Sequence, residues 1–208
     1  GVIRAASGKR NGGSIELVGR GGGGVRVAGV IDASSQEASG GSIWVLGETV
    51  DISAAARLSA DGGTDGGSIL AGGDVKGGGD LRTAQQTRVA TGAEFSADGA
   101  AGSGGDVVVW ADDSTWFDGM ISATGSVSGG FVETSGRINL DVGDNADVIL
   151  GSDGQWLLDP RNVVIVNGGS AAAAGVNNPP VGAGDFRINR NSIRNVLNAG
   201  SDVTITTD

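Results

Sequence analysis

The side chains best suited to acid–base chemistry in this sequence are aspartates in one short stretch. Asp112 and Asp113 are adjacent, and Asp106 and Asp118 lie within six residues of them. Acid–base cleavage of a polysaccharide requires two carboxyl groups at a fixed separation with their pKa values set apart. The chain contains no histidine and no tyrosine, which removes the commonest general base, and no basic partner motif accompanies Asp112. These residues are therefore predicted to be solvated turn aspartates, and neither a catalytic residue nor a cofactor is expected.

Two further groups of oxygen-bearing side chains have the chemistry to bind calcium. They consist of Asp61, Asp65, Asp74 and Asp80 in glycine-rich turns, and of Asp141, Asp144, Asn145 and Asp147. Calcium takes about six to eight oxygen ligands from carboxylates and carbonyls. Neither group has the spacing of an EF-hand loop or of the nonapeptide calcium repeat. Turn chemistry is therefore favoured and no metal site is predicted, with structural calcium as the alternative.

The overall composition narrows the classes of partner. The chain has 208 residues and a formal net charge of −10 at pH 7, which disfavours nucleic acid and anionic membranes. It has no cysteine, so neither disulfides nor thiolate metal sites are expected. No apolar run approaches the roughly 20 residues of a membrane span. Because the first residues look like the middle of a repeat, we expect the chain to be a fragment of a much larger protein.

Glycine marks that repeat. Of the 41 glycines, pairs begin at positions 12, 40, 66, 104 and 129, each followed by a short β-type run. A second marker, an apolar anchor followed two residues later by alanine, has nearly the same separations: Ile3, Ile31, Leu58, Phe95 and Ile121. Both markers indicate a coil of about 25–28 residues with one insertion. Glycine is expected at the corners because it permits positive φ and close backbone approach.

A third short strand in each coil completes a triangular cross-section. The sequence therefore predicts an all-β fold, a right-handed parallel β-helix or β-solenoid, with three short strands per coil. Residues 1–150 are assigned to these coils, and residues 74–86 to a polar loop that projects outward. Alternation with a period of two predicts the inward columns of the glycine strand, the first of which is Ile15, Ile43, Ile69, Val107 and Val132.

The residues between these inward columns are predicted to face away from the core. They include Trp44, Leu70 and Val108, and Trp110 lies two residues beyond Val108 on the same face. Contiguous exposed apolar area usually marks a partner or a covering segment of the same chain, whereas β-propensity alone also places bulky residues on sheets. These four residues are the candidate interaction surface, and residues 168–184 or another chain are the hypothetical cover.

The C-terminal part departs from the regular pattern. Residues 151–167 are predicted to form a last coil, in which Trp156 fills a widened interior and Pro160 occupies a corner because it cannot donate to a strand ladder. Residues 168–186 are rich in Ala, Gly, Asn and Pro, which predicts an exposed loop.

A short helix and a closing strand are predicted within residues 187–208. Apolar spacing places the helix at residues 192–198, with Asn191 or Ser192 as its N-cap and Gly200 at its end. The strand is placed at residues 203–206.

Three phrases of the sequence are distinctive enough to compare with known families. They are Gly40-Gly41-Ser42-Ile43-Trp44-Val45-Leu46-Gly47, Gly130-Phe131-Val132-Glu133-Thr134-Ser135-Gly136 and Trp156-Leu157-Leu158-Asp159-Pro160-Arg161-Asn162-Val163. Together with the closing stretch from residue 193, they resemble the filamentous-haemagglutinin-like exoproteins, the large adhesins of Gram-negative two-partner secretion. The resemblance covers nearly the whole chain.

The resemblance implies a β-helix shaft, a secreted or cell-surface location, and export through an outer-membrane β-barrel transporter. Family members act in adhesion, biofilm formation, haemolysis and toxin delivery, so a shaft alone does not select among these outcomes. We expect a non-catalytic structural shaft of a large bacterial adhesin that mediates attachment or biofilm formation, with a host-cell, glycan or matrix receptor. The alternatives are a self-assembling extracellular filament or matrix subunit, and a polysaccharide-degrading β-helix enzyme.

Overall fold

The computed structural model describes residues 1–161, 163–166 and 187–207, which form short strands and one α-helix. The strands are, in chain order, β1 (Val2–Arg4), β2 (Ser14–Val18), β3 (Val25–Val27), β4 (Val30–Asp32), β5 (Ser42–Leu46), β6 (Thr49–Ile52), β7 (Arg57–Ser59), β8 (Ser68–Ala71), β9 (Gln86–Val89), β10 (Glu94–Ser96), β11 (Asp106–Ala111), β12 (Ser114–Phe117), β13 (Met120–Ser122), β14 (Phe131–Gly136), β15 (Asn139–Val142), β16 (Asp147–Ile149), β17 (Gln155–Leu158), β18 (Val164–Val166), β19 (Arg187–Asn189) and β20 (Asp202–Ile205). The helix, α1 (Arg190–Asn198), lies between the last two strands.

Three parallel sheets run along the molecule. Sheet 1 has the strand order β1-β4-β7-β10-β13-β16, sheet 2 the order β2-β5-β8-β11-β14-β17-β20, and sheet 3 the order β18-β19-β15-β12-β9-β6-β3. Up to β18, each sheet takes every third strand, so the chain passes through the three sheets in turn. Coil 1 contains β1–β3, the coils continue in threes to β13–β15 in coil 5, and coil 6 begins with β16 and β17. The predicted β-solenoid with three strands per coil is confirmed.

The interior is lined by columns of matched side chains. Across sheet 2, the register pairs the consecutive column residues Ile15, Ile43, Ile69, Val107, Val132 and Trp156. All of them are buried, which confirms this inward column and the enclosed position of Trp156. The indole Nε1 of Trp156 donates to the Thr134 hydroxyl at 3.0 Å, so the buried ring has a polar partner. In coil 1 the column residue Ile3 of sheet 1 is instead 45% exposed, because β1 pairs with β4 alone.

Two reasons were predicted for glycine pairs at the corners, positive φ and close backbone approach, and only the second applies. None of the five pairs has a positive φ. Instead, the next coil approaches too closely for a side chain. A Cβ on Gly40 would lie 1.8 Å from the carbonyl oxygen of Ala60, and one on Gly12 would lie 1.8 Å from that of Ala33. Close backbone approach is therefore the requirement that these glycines meet.

A corner ladder of aspartates and hydroxyls joins successive coils at the end of sheet 1. The Asp61 carboxylate accepts from the Ser59 hydroxyl at 2.8 Å, from the Ser96 hydroxyl of the next coil, and from the Asp98 backbone N–H at 2.9 Å. Asp98 repeats the arrangement one coil further on, accepting from the Thr124 backbone N–H at 2.6 Å. These aspartates therefore serve the turns, as predicted for them.

The helix α1 packs against β16 and β20. The Ser192 hydroxyl donates to the Ala146 carbonyl at 3.0 Å. The N-cap is Asn189, whose side chain accepts from the Asn191 backbone N–H at 2.8 Å, so the predicted caps Asn191 and Ser192 are wrong. Gly200, with φ +83°, follows the C-cap Ala199 at the end of the helix, as predicted.

Strand β19 was not predicted. It lies between β15 and β18 in sheet 3, so it takes the position next to coil 5. The predicted exposed loop, residues 168–186, falls outside the described residues. In the ranges that the structure does describe, no helix is long and apolar enough for a membrane crossing.

Candidate functional site

The predicted interaction surface forms a second apolar cluster on the outer face of sheet 2. Leu70, Val108 and Trp110 are its centre, with Trp44, Leu81 and Phe131 packed against them. The first three are 7%, 0% and 3% exposed. Leu70, Val108 and Trp110 face away from the solenoid core, as predicted, and they are covered instead of forming a free surface. Only Trp44, at the end of the cluster nearer coil 1, is half-buried.

The cover is the insertion itself, residues 72–85, which we call the strap. It leaves the coil at the end of β8 and returns at the start of β9, and the Ala84 backbone N–H donates to the Gly72 carbonyl at 2.6 Å to close its base. It was expected to project outward, and instead it lies on the sheet because the apolar outer column provides a surface for it. Residues 168–184, the hypothetical cover, fall outside the described residues.

One arm of the strap reaches towards the C-terminal coils. Its 3₁₀ turn, Val75–Gly77, lies over Trp110, and a Cβ on Gly77 would come within 2.5 Å of the indole ring. The Lys76 backbone N–H donates to both carboxylate oxygens of Glu133, at 3.2 and 3.0 Å. The Lys76 ammonium lies 3.6 Å from the Asp159 carboxylate. This arm therefore contacts coils 4, 5 and 6.

Glu133 is the buried charge beneath this arm. It is 0% exposed, and burial raises the pKa of its carboxyl group. The hydrogen bonds from Lys76 and Ser135 and the Lys76 charge oppose that rise, while the Asp159 carboxylate adds to it. The strap thus supplies the donor that an ionised Glu133 requires on this face.

The other arm reaches towards the N-terminal coils through one arginine. Arg82 donates to the Gly19 carbonyl at 2.9 Å and to the Glu48 carboxylate at 2.9 Å. These partners belong to coils 1 and 2. The guanidinium therefore holds the strap at the end of the molecule opposite to Lys76.

Of the aspartates considered for catalysis, Asp112 holds the strap and Asp106 lies far from it. Asp112 accepts from Thr83, from the Trp110 indole at 3.3 Å, and pairs with Arg137 at 3.1 Å. Asp106 and Asp112 lie at opposite ends of β11, roughly 20 Å apart at strand rise, which exceeds the separation of about 5–9.5 Å used in glycoside hydrolysis.

Three of the aspartates considered for calcium are engaged in turn contacts. Besides Asp61 in the corner ladder, Asp74 accepts from the Val75 backbone N–H at 2.8 Å, and Asp65 accepts from the Ser103 backbone N–H at 3.0 Å. Among the described residues, no group of three or more acidic, histidine or cysteine side chains is arranged to hold a metal ion.

The outer face of sheet 3 carries a ladder that was not predicted as a site. Its consecutive partners are Arg26, Asp51, Arg88, Trp116 and Asp141. Arg26 pairs with Asp51 at 3.3 Å, and the Arg88 guanidinium carbon lies 4.1 Å from the centroid of the Trp116 ring. The signal was present in the sequence, because each of these residues stands between two inward residues of its strand.

Asp141 has the most perturbed carboxyl group of this ladder. Burial raises its pKa to about 6, the carboxylates of Asp118 and Asp144 add to the rise, and Arg187 opposes it. The ladder is thus a face of mixed charge with one aromatic residue. The register partner of Asp141 on this face is Trp116 and not a second carboxyl group.

The fold and these faces define the class of protein: a parallel β-solenoid whose outer sheet face is closed by its own strap. Comparison with models of known protein families gives no match. Comparison with curated protein sequences gives no match either.

Proposed function

We propose that this chain is a non-catalytic structural shaft of a large secreted or surface-displayed bacterial adhesin, exported by two-partner secretion, that mediates attachment or biofilm formation. The resemblance of the Trp156-to-Val163 phrase to the filamentous-haemagglutinin-like exoproteins supports the family and the route of export. The outer-membrane β-barrel transporter is the implied export partner.

The continuous stacking of coils is the observation that carries the shaft role. The strands of each coil pair in parallel with those of the next, and a mostly apolar interior runs through all coils. A rod built this way satisfies its backbone hydrogen bonds between neighbouring coils and advances about 4.8 Å per coil, so six coils extend about 29 Å. Such a segment suits the task of holding a binding region away from a cell.

The non-catalytic part of the proposal rests on the carboxylates. Asp112 accepts a hydrogen bond from the strap, and Asp61 accepts hydrogen bonds within the corner ladder. Both carboxylates therefore already have structural partners. A polysaccharide-degrading enzyme would need a free, correctly spaced pair.

The test compares attachment with turnover. Cells of the source bacterium that lack the gene, or that carry it with Phe95→Ala to disrupt the solenoid, should adhere less to host-cell or glycan-coated surfaces than unaltered cells. Purified chain incubated with acidic polysaccharides should release no new chain ends. Turnover that is lost on Asp112→Ala would contradict the proposal and favour the enzyme.

The second candidate is a self-assembling filament or matrix subunit, and the open-ended stacking of the coils favours it. All three sheets pair their strands in parallel along one axis, and further copies of the chain can extend such a stack by strand addition. Electron microscopy of the purified chain distinguishes the two candidates: filaments support the subunit, and dispersed particles support the shaft.

A further inference from the structure

In most solenoids each coil contacts only its neighbours, and stability is a sum of local terms. The terminal coils then fray independently of the middle ones. In this chain too, the strands of a coil pair only with strands of the adjacent coils.

The strap makes contacts that do not follow this nearest-neighbour pattern. Its partners Gly19, Glu48, Asp112 and Asp159 each follow the sheet 2 strand of a different coil. They belong to coils 1, 2, 4 and 6, and they all lie at the corner between sheets 2 and 3. Five steps of about 4.8 Å separate coil 1 from coil 6, so the strap and its two long basic side chains bridge about 24 Å along the rod.

We propose that the strap is a clasp along the rod, which makes these six coils open as one unit instead of coil by coil. This inference does not depend on the proposed function. The strap starts from coil 3 and is held at both ends, by Lys76 with Gly77 at coils 4–6 and by Arg82 at coils 1–2. Loosening one arm therefore loosens the segment that holds the other arm.

The sequence order of these contacts has a consequence for folding. The Lys76 arm binds a glutamate 57 residues further along the chain, and Arg82 binds a carbonyl 63 residues back. The clasp can close only after coils on both sides of it have formed. The strap contacts therefore stabilise the fully folded solenoid and not an intermediate in which only some coils have formed.

Hydrogen exchange measured by mass spectrometry on the whole chain tests the clasp, because each arm can be altered and the opposite end observed. Gly77→Ala places a methyl group against Trp110 and loosens the C-terminal arm. We expect exchange of the β2 amides in coil 1 to accelerate, on the order of tenfold, which corresponds to the loss of one or two hydrogen bonds of coupling. Reciprocally, Arg82→Ala should accelerate exchange of the β17 amides in coil 6.

Matched controls separate coupling from general destabilisation. Gly151 also has a positive φ, +76°, with its nearest neighbour at 4.0 Å, so Gly151→Ala carries the backbone strain without touching the strap. Arg4→Ala removes another arginine ion pair, that with Asp32. Neither control should accelerate exchange at the opposite end of the molecule. If Gly77→Ala affects only coils 4–6 and Arg82→Ala only coils 1–2, the strap is two local contacts and the clasp is refuted.

Discussion

Gly77→Ala should destabilise the chain more than Gly21→Ala, although both positions have nearly the same backbone conformation. Gly77 has φ +61° and Gly21 has φ +59°. An alanine in this left-handed region costs about 1–2 kcal/mol at either position. The positions differ in their surroundings: a Cβ on Gly77 would lie 2.5–2.6 Å from three atoms of the Trp110 indole, whereas one on Gly21 has nothing within 4 Å.

The additional cost at Gly77 follows from the surface that the strap covers. Relieving the overlap lifts the strap from Trp110 and returns on the order of 100 Å² of apolar surface to water, about half of what a buried aromatic side chain covers. At about 25 cal/mol per Å², that exposure costs roughly 2–3 kcal/mol. We therefore expect a loss of about 3–5 kcal/mol for Gly77→Ala and about 1–2 kcal/mol for Gly21→Ala.

Denaturant unfolding followed by circular dichroism measures both free energies. Acrylamide quenching of tryptophan fluorescence gives an independent readout: it should rise in Gly77→Ala but not in Gly21→Ala, with Trp110→Phe as the chain that lacks the relevant fluorophore. Equal losses of unfolding free energy in the two variants, with unchanged quenching, would refute the packing of the strap on Trp110.

Three further predictions concern the core and two buried carboxyl groups. Phe95→Ala should lower the unfolding free energy by about 3–5 kcal/mol, because Phe95 is fully buried; a near-neutral shift in Tm would show that its column does not line the core. Asp141→Asn should stabilise the chain at pH 7 and have little effect at pH 4. The carboxyl group is protonated below about pH 3.8 in both states, and its ionised form is disfavoured in the folded state up to a pKa of about 6, so the penalty grows as pH rises through this window. The pKa shift from 3.8 to about 6 corresponds to about 3 kcal/mol of unfolding free energy. We expect Asp141→Asn to gain about 1–2 kcal/mol at pH 7, because the partly solvated carboxyl group is screened. A difference in unfolding free energy between this variant and the unaltered chain that is the same at pH 4 and pH 7 would contradict this. Glu133→Gln should likewise remove a cost of ionisation that appears as pH rises above about 4.5, because burial raises the Glu133 pKa; urea unfolding at pH 4.5 and 7 checks it, and a larger loss at pH 7 than at pH 4.5 would contradict it.

The features that recur in every coil were predictable from the sequence. Residues such as Ile43 and Val107 repeat at the coil spacing and alternate with outward residues, so their column and its inward direction follow from periodicity alone. Stacking of identical positions then sets the parallel register. For Trp156, alternation allowed either set of residues 156–158 to be core, and the expected enclosed position is confirmed by its pairing with Val132.

The strap was not predictable in the same way, because it occurs once and has no internal period. Its sequence is polar and rich in glycine, which is typical of a projecting loop, and Leu81 is the one large apolar residue that it contributes to the cluster. The available signal was the apolar outer column of Leu70 and Val108, which required a cover. The contacts that hold the strap on this column join residues separated by 57 and by 63 positions in the sequence. No local sequence pattern encodes such contacts.

The helix cap and the corner glycines show a second limit of local patterns. Asn189, Asn191 and Ser192 are all good N-cap residues, and the choice of Asn189 follows from β19, whose last residue it is. Likewise, positive φ and close approach both favour glycine, and only the neighbouring coil distinguishes them. In both cases tertiary contacts select among locally equivalent options.

The most direct test of the proposed role is display of this chain on the outside of intact cells. Antibodies against residues 1–161 should label unpermeabilised cells of the source bacterium, and protease added to those cells should remove the label. Deletion of the outer-membrane transporter partner should abolish surface labelling while leaving the chain detectable in cell extracts. Labelling that appears only after permeabilisation in unaltered cells would contradict the account of this solenoid as an exported shaft.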